Sequence, residues 1–182
     1  EGPIVPSTDA RPNSVSVLLT GKYGYLDETS PILYPYAAER AILASEGNSA
    51  ESAGLPFSYG DLYGKISFSG NTGSELDVFG LHFTDAFSVP EIASLNWQVS
   101  GGGANFRLVP PNANVVVDGV VGYTDYLTTL EEESAGPRTS GVVSYTAQLH
   151  FTYFGAASEL RYGLDFHGFN TDFSFDNPLA QT

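Results

Sequence analysis

Three histidines, His82, His150 and His167, are the side chains best suited to proton transfer or metal binding in a sequence of 182 residues that has no cysteine. They stand far apart, and no His-Glu-x-x-His spacing sets two imidazoles on one helix face, so the pattern argues against a zinc site. The absence of cysteine also removes disulfides, thiolate metal sites and thiol nucleophiles. Hydrolysis by a Ser-His-Asp arrangement needs a nucleophile held by a base and an orienting acid, and no serine here has a recognisable neighbourhood of that kind. Gly101-Gly102-Gly103 is not a phosphate cradle, because no helical pattern follows whose amides would complete one. Glu131-Glu132-Glu133, with Asp125 nearby, offers carboxylates of the type that bind Ca²⁺. Lacking an Asp-Gly framework, it reads as a hydrated turn. The expectation is no enzyme, no metal and no cofactor.

What must position these side chains is read from composition and period. Lys and Arg number 7 against 21 Asp and Glu, a net charge of −14, which excludes the basic stripe that nucleic-acid binding needs. Charged residues are only 15% of the chain while aromatics reach 13% and glycines number 20, a profile of strands rather than helices. No apolar run reaches the roughly 18 residues of a membrane-crossing helix, so a membrane role would have to run through strands. The start Glu1-Gly2-Pro3-Ile4 carries neither an initiator Met nor a basic-then-apolar signal region, as expected of a mature chain or a piece of one.

Period-two alternation, which puts every second side chain on one face of a strand, recurs about seven times. Val15, Val17, Leu19, Tyr23 and Tyr25 alternate with Ser14, Ser16, Thr20 and Lys22. Further strands are expected over Phe57 to Ser69, Leu76 to Asp85 (poorly alternating) and Leu95 to Leu108. In the last of these the apolar parity changes at Gly101 to Gly103, which suggests a β-bulge. Ala113 to Thr124, Val143 to Tyr153 and Leu160 to His167 complete the set. Strands of about 11 to 14 residues exceed the usual five or six and match what a tilted membrane strand requires.

Tight turns at Gly70 to Gly73, Pro110 to Asn112 and Gly155 to Ala157 alternate with longer links at about Glu28 to Pro56, Ala86 to Ser94 and Leu130 to Arg138. Short connections at one end and long ones at the other are the asymmetry of a bacterial outer-membrane barrel. Ala37 to Ser45 has the composition of a brief helix. Tyr23, Tyr25, Phe57, Tyr59, Tyr123, Tyr126, Tyr153 and Phe154 stand near strand ends, where girdle residues meet lipid headgroups.

Several segments resemble the barrel of TonB-dependent outer-membrane receptors, particularly those of Bacteroidetes-type bacteria. Glu1-Gly2-Pro3-Ile4-Val5 and Thr20-Gly21-Lys22-Tyr23-Gly24-Tyr25-Leu26-Asp27 are similar to that family's E-G-P-I-V and S-G-R-x-x-Y-L-D strands, with Lys22 where Arg is usual. Phe57-Ser58-Tyr59-Gly60-Asp61-Leu62-Tyr63-Gly64-Lys65-Ile66-Ser67-Phe68 resembles its aromatic entry and D-L-x-x-K motif, the most specific of the set. Phe151-Thr152-Tyr153-Phe154 and Glu159 to Phe169 look like its aromatic strand, turn and L-K-x-G-x-E/D strand. The stretch Leu81 to Phe87 matches only loosely. The resemblance implies an all-β, antiparallel up-and-down transmembrane barrel in the outer membrane of a Gram-negative bacterium. Residues 1–182 would form about seven strands of a wall of about 22, with the plug domain and remaining strands absent from this sequence. It further implies active import of a nutrient such as a glycan, peptide or metal chelate. The implied partners are outer-membrane lipid, the rest of the barrel and the plug, TonB, and a surface lipoprotein.

Within that expectation the residues facing the lumen are Lys22, Lys65, Asp118, Gln148, His150, Arg161, Asp165 and His167. A charge facing lipid at mid-depth costs about 2 to 4 kcal/mol, which sends Lys22, Lys65, Arg107 and Arg161 inward. Two other readings share the same alternation: an outer-membrane barrel with a structural or interaction role and no transport, and a soluble β-barrel binding protein whose apolar stripes point inward. Alternation alone does not say which face meets water; strand length and the motifs favour the membrane.

Overall fold

The computed structural model describes residues 2–5, 13–33, 56–89, 92–132 and 135–175. They form one antiparallel sheet in which each strand pairs with the next in sequence: β1 (Gly2–Val5), β2 (Ser14–Tyr25), β3 (Phe57–Ser69), β4 (Glu75–Val89), β5 (Ala93–Leu108), β6 (Val115–Glu132), β7 (Ala135–Phe154) and β8 (Glu159–Phe175). The seven long strands are those the alternation identifies, and β1 adds a short eighth against Val15 to Val17. The sheet is open: β1 and β8 are its two edges. One helix, α1 (Leu26–Leu33), follows β2 directly, at the start of the expected long link, and the Thr29 hydroxyl donates to the Tyr25 carbonyl at 2.9 Å. The helix expected at Ala37 to Ser45 lies outside the described residues.

The turns at one end use residues suited to them. Gly73 has φ +83° and donates to the Gly70 carbonyl at 3.2 Å, while Asn112 has φ +61° within the Pro110 to Ala113 turn. Glycine and asparagine are the residue types that enter this left-handed region most readily. At the other end two expected long links are mostly strand. β4 and β5 pair out to Val89 and Ala93, and β6 and β7 out to Glu132 and Ala135. Within the expected link Leu130 to Arg138 the register shifts at a bulge, where Gly136 and Pro137 oppose Glu131, a position at which proline is tolerated in a sheet. Arg138 bridges this bulge to Glu132 at 2.9 Å.

The bulge expected at Gly101 to Gly103 is absent. Both ladders of β5 run through these glycines in unbroken register, Gly80 opposite Gly102 and Gly103 opposite Gly122. The apolar series therefore changes face in earnest: Leu95, Trp97 and Val99 lie on one side of the sheet, and Ala104, Phe106 and Leu108 on the other.

Directly paired residues share a face, so the register assigns every side chain to one of two surfaces, here called the Leu149 face and the His150 face. Near the turn end the Leu149 face is wholly apolar, glycine or tyrosine. It carries Val15, Val17 and Leu19 on β2, Leu62, Ile66 and Phe68 on β3, Val115 to Val121 on alternate positions of β6, and Leu160, Tyr162, Leu164 and Phe166 on β8. The His150 face opposite this band carries the charged and hydroxylic side chains, interrupted by Leu18, Phe79, Leu81, Val116 and Val120. Toward the far end the assignment inverts: the Leu149 face turns to Asn96, Gln98, Asp125, Asn170 and Asp172, and the His150 face to Phe83, Phe87, Leu95, Trp97, Val99 and Leu130.

No core is enclosed among the described residues, of which only Gly119 is buried. Its shelter is its cross-strand partner Phe106, whose ring occupies the space a Cβ at Gly119 would need. On β3, β4 and β7 the apolar band is the more exposed surface. Leu76 and Val78 are exposed and Asp77 half-buried; Tyr145, Ala147 and Leu149 are exposed, and Thr146, Gln148 and His150 half-buried. Leu164 and Leu19 are 78% and 73% exposed. A soluble sheet places its apolar side in the crowded position; β3, β4 and β7 do the reverse, whereas on β5 Ala104 and Phe106 are half-buried with Asn105 and Arg107 exposed, and on β8 both sides are exposed.

Candidate functional site

The His150 face of the turn-end half gathers the polar chemistry of the molecule. All eight residues expected to face a lumen, Lys22, Lys65, Asp118, Gln148, His150, Arg161, Asp165 and His167, fall on this face. So do Arg107, Asn105 and Asp77. Strand alternation puts them there, and the ladder sets their neighbours: Arg107 lies opposite Asp118, Asp118 opposite His150, and Gln148 opposite Asp165.

The contacts are separate cross-strand pairs spread over five strands, β4 to β8. Arg107 Nε donates to Asp118 Oδ1 at 2.8 Å, and His150 Nε2 meets Asp165 Oδ1 at 2.9 Å. Asn105 donates to Asp77 at 3.0 Å, the hydroxyls of Thr124 and Ser144 lie 2.5 Å apart, and Thr146 Oγ1 stands 3.4 Å from His167 Nδ1. Arg107 is 57% exposed and Asp165 49%, so these are solvated pairs whose attraction water largely screens. Their role is to order a hydrophilic surface, not to hold the sheet together. On this face the His150 ring also fills the position a Cβ at its partner Gly163 would take.

The arrangement lacks the order that nucleophilic catalysis requires. Ser100 donates to or accepts from His82 Nδ1 at 2.9 Å, but this pair sits on the Leu149 face with Ser100 between His82 and Asp125 in the ladder. An activated serine needs the imidazole in the middle. His150 is bound to a carboxylate and His167 to a threonine. No group of three His, Asp or Glu side chains fit to hold a metal occurs among the described residues. Glu131 and Glu132, read as part of a loop, end β6 on opposite faces of the sheet; Glu133 lies outside the described residues.

The tyrosines divide between the two surfaces. Tyr23, Tyr25, Tyr123 and Tyr153 belong to the Leu149 face at the borders of its apolar band, joined there by Tyr145 and Tyr162. Tyr123 and Tyr145 pack with ring centroids 5.5 Å apart. Phe57, Tyr59, Tyr126 and Phe154 point to the His150 face and are not girdle residues of that band. Asp77 and Asn105 were missed by sequence reasoning. Their signal is parity, and it was masked because β4 is apolar on both faces, with Leu76 and Val78 on one and Phe79, Leu81 and Phe83 on the other. No protein-family model, curated protein or solved structure matches the chain.

Proposed function

We propose that this sheet is a stretch of the wall of an outer-membrane β-barrel transporter, with the Leu149 face against lipid and the His150 face against a water-filled lumen. The observation that carries the reading is the exposed, uncharged apolar band, backed on β3, β4 and β7 by a surface where Lys65, Asp77, Gln148 and His150 are half-buried. A bilayer satisfies both: hydrocarbon covers the band, and the lumen solvates Lys22, Lys65, Arg107 and Arg161.

The shape of the band supports it. The ladder from Glu75 reaches β7 at His150, yet the β7–β8 turn is reached only after Phe154, four residues further. Four residues of stagger are about 14 Å along the strand, over about 19 Å of sheet width for four strand spacings. Turns lying in one plane then require an inclination of roughly 35°, within the range of barrel strands. Both borders of the band shift in that same sense from β2 to β8. The band covers nine to eleven residues on β2, β6, β7 and β8. At this tilt that is about 22 to 28 Å of height, close to the roughly 25 Å apolar belt of such barrels.

The motif resemblance carries the reading one step further, to TonB-dependent uptake of a nutrient, with the wall and loops contributed here and chemistry left to none of these residues. The wall is tested by single cysteines, for which the native chain has no background. Leu149→Cys and Leu164→Cys carrying a fluorophore should be quenched by lipid-borne nitroxide, and Gln148→Cys by an aqueous quencher; the opposite assignment sinks the proposal. For transport, a strain lacking this protein and one lacking TonB should lose growth on the same nutrient. Unchanged growth without TonB would leave the wall and remove the energy coupling.

A further inference from the structure

We propose that the Leu149 face carries, just above its apolar band, a seat for the hydroxyl-rich headgroup of a glycolipid. The inference rests on the membrane reading and names a ligand for the surface next to it. Two open depressions of about 330 and 370 Å³ lie there, the first also reaching Tyr59, Asp85 and Trp97, whose positions belong to the opposite face. They adjoin, since Gln98 and Leu127 line both. Register places their lining on consecutive ladder levels: Ser100, Asp125, Val143 and Asn170 on one, and Gln98, Leu127, Gly141 and Asp172 on the next.

Position argues for a lipid rather than a free solute. Tyr23, at the upper border of the band, lines the first cavity, and Val143, the last apolar residue of the band on β7, lines the second. A molecule with acyl chains on the band has its polar head delivered to this groove. The lining then selects the head. Asn96, Gln98, Ser100, Thr129 and Asn170 supply donors and acceptors, and Asp125 and Asp172 supply acceptors only. Neither cavity has a lysine or arginine in its lining, and a chain of net charge −14 repels a bare phosphate. Sugar hydroxyls, which donate to carboxylates and exchange bonds with amides, fit; an anionic phosphodiester does not.

The test uses the whole protein in mild detergent, and native mass spectrometry of bound galactosyl diacylglycerol, phosphatidylethanolamine and phosphatidylglycerol with matched acyl chains. Retention of the galactolipid should exceed that of either phospholipid by about tenfold, the effect of one or two hydrogen bonds. The exposed pair Asn96→Leu/Gln98→Leu and the single Asp172→Leu should each bring the ratio near one, while fluorophores at Leu149→Cys and Gln148→Cys keep their lipid and water contacts. Equal retention of all three lipids, or variants that keep the preference, overturns the headgroup seat and leaves the wall standing. Displacement of the galactolipid by millimolar methyl galactoside without its acyl chains overturns the lipid as the source. A Leu149→Cys fluorophore that lipid does not quench overturns both proposals together.

Discussion

The two halves of this sheet are built from the same strands and obey opposite rules. Near the tight turns the Leu149 face is apolar and the His150 face carries the charges; beyond His82, Ser100 and Asp125 the Leu149 face turns polar and the other carries Phe83, Phe87, Trp97 and Leu130. A single strand such as β5 crosses from one regime to the other without a bulge, a break or a change of partner. Backbone and register are therefore indifferent to the change, and the surroundings of each face must differ between the halves. A sheet that leaves hydrocarbon for water partway along its strands would need this exchange of surfaces.

The comparison can be broken most forcefully by charge. Leu164→Arg should cost about 2 to 4 kcal/mol in a bilayer and Gln148→Arg little, because the first puts a cation into lipid and the second into the lumen. Urea unfolding from liposomes reads both, and equal costs would erase the distinction between the faces. Gly119→Val comes next, at about 1 to 3 kcal/mol, since its side chain collides with Phe106 where the two strands pair. On the far half of the same Leu149 face, Asn96→Lys should stay within about 0.5 kcal/mol, so that one face gives two answers according to height. The smallest effect is spectroscopic. Trp97, the only tryptophan, lies on the His150 face of the far half and should escape quenching by lipid-borne nitroxide while Leu149→Cys does not. Quenching of Trp97 from the lipid would mean that the far half also lies in hydrocarbon with its sides exchanged.

The strands were legible because a half-wetted strand writes its period into the sequence: β3 runs from Phe57 to Ser69 as the alternation indicates, and the eight polar residues expected to share a surface do share one. The misreadings have one cause. A rule that each strand keeps its apolar side throughout turns the parity change at Gly101 to Gly103 into a bulge and makes β4 look irregular, when in both the apolar residues move to the other face of an unbroken ladder. The ends failed for a different reason. Ala135 to Arg138 carries the glycine and proline signals of a loop and Ala86 to Val89 shows no clear alternation, and only pairing with the neighbouring strand reveals both as extended. The groove on the Leu149 face had no sequence signal, since Gln98, Asp125 and Asp172 come from separate strands and meet through register alone.

β8 is a seventeen-residue edge strand whose every second residue turns its amide and carbonyl away from β7, along an edge with no neighbour among the described strands. Hydrocarbon tolerates no such row, at several kcal/mol for each orphaned group, and water invites it to zip onto any extended peptide that passes. A preparation of this sheet by itself should therefore clump through that rim, and the rim is also where an assembling wall would be stitched shut.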